Sequence, residues 1–140
     1  MDPNSLLNQN IPFDIQKLQL LDNIINVFYT TKNGDDRHQA DKLLNSFKIL
    51  PDSWTHCATI LTNSNNNYTK FYSLGILEDL ITTRWNTIQP DQKNGIKNFL
   101  VELLVKNVTD DNTFVQNQTL IQKLNVTIVQ VRITLPNINS

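Results

Sequence analysis

The residues best able to do chemistry are few and poorly spaced for it. His56 and Cys57 are the only Cys and His pair close in sequence. On a helix, adjacent side chains diverge by about 100°, so a nucleophile–base dyad would need help from elsewhere. Cys57 shares a helical stripe with Trp54 and Ile60, which predicts a buried structural thiol. Two histidines and one cysteine cannot close a tetrahedral zinc site. Gly34, Gly75 and Gly95 are too scattered to build a phosphate-cradling loop. Carboxylates pair at Asp35/Asp36, Glu78/Asp79 and Asp110/Asp111. The first and third pairs fall at expected helix starts, where capping explains them. Glu78/Asp79 falls mid-helix beside Arg84, on the face away from Leu77 and Ile81. It reads either as a solvated face or as a polar patch for a basic partner. No catalytic site, no metal and no cofactor is expected.

With chemistry set aside, composition describes a folding chain. Its 140 residues can bury a core, with 39% hydrophobic and 18% charged residues. A net charge of −1 gives no basic surplus for nucleic acid. One cysteine excludes an internal disulfide and fits a reducing compartment. No stretch approaches the roughly 18 apolar residues of a membrane span, so no membrane insertion is expected. The opening MDPNSLLNQNIPFD lacks the basic-then-apolar pattern of a signal peptide. Asparagine is abundant, and the sequons at Asn67, Asn107, Asn117 and Asn125 are what such a chain produces by chance.

The elements follow from spacing. Residues 1–13 carry no periodicity and are expected to be mobile. Leu18, Leu21, Ile25 and Phe28 then mark a helix, widened by Leu20 and Ile24. Asn33-Gly34 is expected to stop it, with Gly34 as the left-handed cap. Asp35 and Asp36 would cap a second helix carrying Ala40, Leu43, Leu44 and Phe47, which Pro51 ends. Asp52-Ser53 opens a third with Trp54, Cys57, Ala58, Ile60 and Leu61. The Asn63–Asn67 run is expected to be a solvated loop. A fourth helix places Phe71, Leu74, Leu77, Leu80, Ile81 and Trp85 inward. Pro90 suits the first turn of a fifth, with Ile96, Phe99, Leu100, Leu103 and Leu104. After a polar loop at Asn107–Asn112, a sixth shows Leu120, Ile121, Leu124, Ile128 and Val131. Within it Val126–Val131 is β-branched and reads as a strand in isolation, but the spacing from Leu120 favours helix.

Three helix pairs of roughly 35–40 residues lie near the period of HEAT or armadillo repeats; a compact six-helix bundle is the competing all-α architecture. Two segments add a resemblance. Ala40-Asp41-Lys42-Leu43-Leu44 through Pro51-Asp52-Ser53-Trp54, and Asn67-Tyr68-Thr69-Lys70-Phe71 through Thr83-Arg84-Trp85, are similar to the N-terminal domain of the karyopherin-β family, the importins and exportins. Leu20-Leu21-Asp22-Asn23, Gly95-Ile96-Lys97 and Lys123-Leu124-Asn125 extend the likeness over about residues 13 to 130, closest to the export receptors.

The resemblance implies an all-α fold of HEAT-like hairpins opening an α-solenoid, with residues 1–13 flexible, 14–131 the importin-like domain and 132–140 a divergent tail. It implies a receptor of nuclear protein export that shuttles between nucleus and cytoplasm. The second helix of each pair would face the small GTPase Ran in its GTP form. By position those helices are roughly Asp35–Leu50, Tyr68–Trp85 and Thr113–Val131, and the candidate contacts are Gln39, Lys42, Ser46, Lys70, Ser73, Glu78 and Asp79. The pattern departs after Gln130, as a truncated or divergent receptor would. The cargo groove of the family belongs to central repeats, so cargo and nuclear-pore partners are expected only of a full-length receptor, and Ran binding by this piece alone is expected to be weak. An unrelated helical-repeat scaffold gripping a partner peptide is the alternative from another class.

Overall fold

The computed structural model describes residues 2–109 and 118–134. Asp110/Asp111, the start of the sixth segment and most of the tail expected over 132–140 lie outside them. Six α-helices form among the described residues: α1 Ile15–Thr30, α2 Gly34–Lys48, α3 Cys57–Asn63, α4 Asn67–Thr83, α5 Pro90–Thr109 and α6 Gln118–Thr134. Short 3-10 turns stand at Pro3–Leu7, Ser53–His56 and Trp85–Thr87. The chain divides into two compact units, Met1–Ser73 and Leu74–Ser140.

In the first unit, α1 starts where the Asp14 carboxylate accepts from the Lys17 amide at 3.0 Å, capping an otherwise unpaired donor. Its apolar face buries Leu18, Leu20, Leu21, Ile24 and Ile25. Lys17 is buried among them, and its ammonium donates to the carbonyls of Asn8 at 2.9 Å and Ile11 at 3.0 Å. Burial lowers its pKa, against the opposing pull of Asp52 and Asp14. Residues 2–13, where patterning suggests no element, thus hold Pro3–Leu7 with Leu6 completely buried. The anchor is a single leucine and an ammonium from the next helix, which periodicity cannot register.

The α1–α2 junction differs from the expected one. α1 ends at Thr31 in extended conformation. Asn33 is the cap of α2, its side chain accepting from the amides of Asp35 at 2.9 Å and Asp36 at 3.2 Å. Gly34 is therefore the first residue inside α2, and no described glycine has a positive φ. Asp35 and Asp36 follow within the first turn, where they complement the positive end of the helix.

The Asn-rich loop is tied down rather than freely solvated. The buried Ser64 hydroxyl donates to the Asp22 carboxylate at 2.8 Å, and the Asn66 side-chain amide to the Asn26 side-chain oxygen at 2.8 Å. Tyr72 donates to the Leu44 carbonyl at 2.6 Å, fixing the start of α4 against α2. Phe13 stacks on His56 at 4.7 Å between ring centroids.

In the second unit, Leu74, Ile76, Leu77, Leu80, Ile81, Trp85, Leu100, Ile121, Leu124 and Ile128 are buried. Trp85 sits past the end of α4, in a 3-10 turn, with the Lys93 ammonium 5.7 Å from its ring centroid. Pro90 opens α5, where its missing amide proton costs nothing. α5 continues through Thr109, so Asn107 is helical and buried, its side-chain amide donating to the Leu103 carbonyl at 2.7 Å. α6 is helical across Val126–Val131. Ile121, Leu124 and Ile128 point inward at helical spacing, and that contact outweighs β-propensity.

Gly34→Ala provides a signed test of the α2 start. A Cβ there meets no atom within 4 Å, so the substitution should stabilise by about 0.5 kcal/mol, chiefly by restricting the unfolded chain. Thermal unfolding reads the sign; a loss of about 1 kcal/mol would indicate a left-handed glycine. His56 gives a second test. Burial lowers its pKa, countered in part by Asp52 and reinforced by Lys17. A group whose folded pKa is depressed contributes stability above its unfolded pKa that is lost as pH falls. Stability should therefore drop between about pH 7 and pH 5, and His56→Phe should flatten that part of the profile.

Candidate functional site

The seven residues singled out by position fall into three situations. Gln39 and Lys42 are exposed on α2, with Ser46 half-buried on the same helix. Spacings of three and seven keep them on one face. Lys70 is half-buried near the start of α4, and Asp79 is exposed near its end. These residues offer an amide, ammonium groups and a carboxylate on helical scaffolds.

Ser73 does not belong with them. It is 0% exposed, and its hydroxyl has no hydrogen-bond partner among the described residues. Its carbonyl accepts from the Cys57 thiol at 3.5 Å. A polar residue type suggested a surface; the packing of α3 on this side of α4 makes it core. Cys57 itself is buried, and desolvation pushes its pKa up to about 12, so the thiol stays protonated and unreactive. The same burial raises the Tyr72 phenol, consistent with a structural donor.

Glu78 is neither a bare solvated group nor a free carboxylate. Its Oε2 lies 2.7 Å from the Lys123 ammonium of α6, with side-chain exposures of 20% and 23%. The buried Thr127 hydroxyl lies 3.5 Å from Glu78 Oε1 and donates to the Lys123 carbonyl at 2.8 Å. The pair joins α4 to α6 across the second unit. Sequence reasoning missed Lys123 and Thr127, because a partner 45 residues away leaves no local signal.

One concave feature was also missed. Between α1 and α2 an open groove of about 410 Å³ is lined by Leu20, Ile24, Ala40 and Leu43, with Asn23, Asp36 and Gln39 among its polar residues. Gln39 is thus shared between the expected contact face and this groove. Among the described residues no acid, base and nucleophile are brought together; what they present is exposed helix faces and this groove.

The comparisons with known proteins agree with that character. Residues 40–106 match the importin-beta N-terminal domain. These residues form an importin-beta N-terminal domain. The helices that carry it are HEAT-like pairs in an all-α chain. The chain is 39% identical to Exportin-1 of Drosophila melanogaster over 114 residues, covering 81% of this chain and 11% of that protein. It is 37% identical to Exportin-1 of Schizosaccharomyces pombe over 112 residues, 80% of this chain and 10% of that protein. Protein EXPORTIN 1B of Arabidopsis thaliana is 33% identical over 131 residues, 94% of this chain and 12% of that protein. The chain therefore spans about a tenth of the length of these curated relatives.

A double-mutant cycle with Glu78→Gln and Lys123→Met should give a coupling of about 0.5–1 kcal/mol, shrinking as salt is raised. No coupling would show that the pair does not link α4 to α6. Cys57 should resist iodoacetamide in the folded chain at about pH 8 and react fully once denaturant exposes it. Rapid alkylation without denaturant would contradict its burial.

Proposed function

We propose that this chain is the N-terminal, Ran-GTP-contacting part of a nuclear export receptor. The observation that carries the reading is the kinship with proteins named Exportin-1 and EXPORTIN 1B across 80–94% of the chain. The structure supports it through the exposed residues Gln39 and Lys42 on α2 and Asp79 on α4. Exposed, mixed-charge helical faces steer association and set partner choice more than they add affinity. Receptors of this kind act by binding, and the chain is proposed to be a transport component rather than an enzyme, moving between nucleus and cytoplasm.

Of the positional candidates, Gln39, Lys42, Ser46, Lys70 and Asp79 are retained as contacts. Glu78 is assigned a supporting role, since its carboxylate already holds Lys123. Ser73 is set aside by burial. Cargo recognition is assigned to central repeats of the family. Contact with the GTPase through several separated surfaces makes any single surface weak, because the gain from multivalency is lost when the surfaces are separated.

The test compares retention of Ran loaded with GTP and with GDP on immobilised chain. The GTP form should be retained preferentially. Lys42→Glu, an exposed change that leaves the fold intact, should weaken that retention about fivefold, the effect of roughly 1 kcal/mol at a charged rim. Equal retention of both nucleotide forms, unaffected by Lys42→Glu, would favour an unrelated helical scaffold instead.

A further inference from the structure

The surface that α1 and α2 present beside the N-terminal turn is only partly covered. The turn Pro3–Leu7 packs against both helices and buries Leu6 completely. Beyond Pro3 the groove of about 410 Å³ stays open. Leu20, Ile24 and Ala40 form its apolar floor, and Val27, 40% exposed, stands at its edge.

We propose that this groove docks a short segment of a protein partner that presents an aliphatic side chain beside a lysine or arginine. Continuity with an existing contact supports the aliphatic anchor. The same two helices already hold Leu6, delivered on a short turn, and Pro3 of that turn lines the open groove. A second aliphatic side chain would meet a floor of the same composition and gain from the same removal of apolar surface from water. Charge supports the basic neighbour. Asp36 is the ionisable group among the lining residues. The adjacent Arg37 guanidinium is engaged by the Thr31 carbonyl at 2.6 Å. A cation on the incoming segment would therefore complement Asp36, and an acidic segment would meet a like charge. Asn23 and Gln39 supply amides that can pair with the segment's backbone. The inference stands apart from the GTPase reading, with Gln39 the one residue common to both.

The experiment titrates isotopically labelled full chain with a blocked six-residue peptide containing one arginine followed by two leucines, and follows backbone amide shifts. Saturable shifts are expected at residues 20–27 and 36–43. Asp36→Lys should weaken binding about tenfold, with Asp36→Asn as the shape-preserving variant giving a smaller loss. Val27→Ser, at an exposed position, should weaken it roughly threefold through lost apolar contact. A peptide with glutamate in place of arginine should bind worse to the natural chain and better to Asp36→Lys. Absence of saturable shifts, or equal response to both peptides, would overturn the proposal. Concentration-dependent shifts of the same amides without peptide would overturn it too, by assigning the groove to a second copy of the chain.

Discussion

Helix α4 requires cover on most of its circumference. Thr69, Ser73, Leu74, Ile76, Leu77, Leu80 and Ile81 are all buried, far more than the single stripe of an ordinary surface helix. A helix apolar on most sides is stable only when other elements enclose it, and at 17 residues it could not hold its shape alone in water. Much of the remaining structure follows from that demand. In the first unit, Tyr72 ties the helix to α2 and the Cys57 thiol bonds the Ser73 carbonyl. In the second, Glu78 reaches Lys123 on α6.

The requirement also separates the residues that can meet a partner from those that cannot. What α4 leaves outside is a narrow set that includes Asp79, while Ser73 and Thr69 are sealed beneath it. α2 buries only Ala40, Leu44 and Phe47, which leaves the face carrying Gln39 and Lys42 open. A scaffold of enclosed helix and exposed neighbour presents fixed side chains at low entropic cost.

Much of this was legible in the sequence, and what was not has identifiable causes. Helical spacing revealed α1 to α6, and Pro90 marked the first turn of α5. The same reasoning placed Cys57 in the core. Gly34 was misread because a glycine after an asparagine suits both the end of one helix and the start of the next. Only the Asn33 side chain, bonded forward to Asp35 and Asp36, distinguishes the two. Lys17 leaves no mark in the apolar pattern, yet it anchors residues 8–11 through two carbonyls. Ser73 and Glu78 illustrate one limit from opposite sides: residue type suggests exposure, but burial and ion pairing depend on neighbours distant in sequence. The resemblance to transport receptors drew on the order of many weak motifs, and the match over residues 40–106 bears out its family reading.

We propose that outward residues of α2, and separately Asp79 of α4, meet a GTPase in a way that depends on its nucleotide state. The most direct measurement is residue-resolved hydrogen exchange of the chain mixed with Ran-GTP at high concentration, set against Ran-GDP. The account predicts added protection at α2 residues 36–46 and around Asp79, in the GTP form only, with the already slow amides around Ser73 unchanged. Protection that is the same for both nucleotide forms, or that appears only away from α2 and α4, would contradict it.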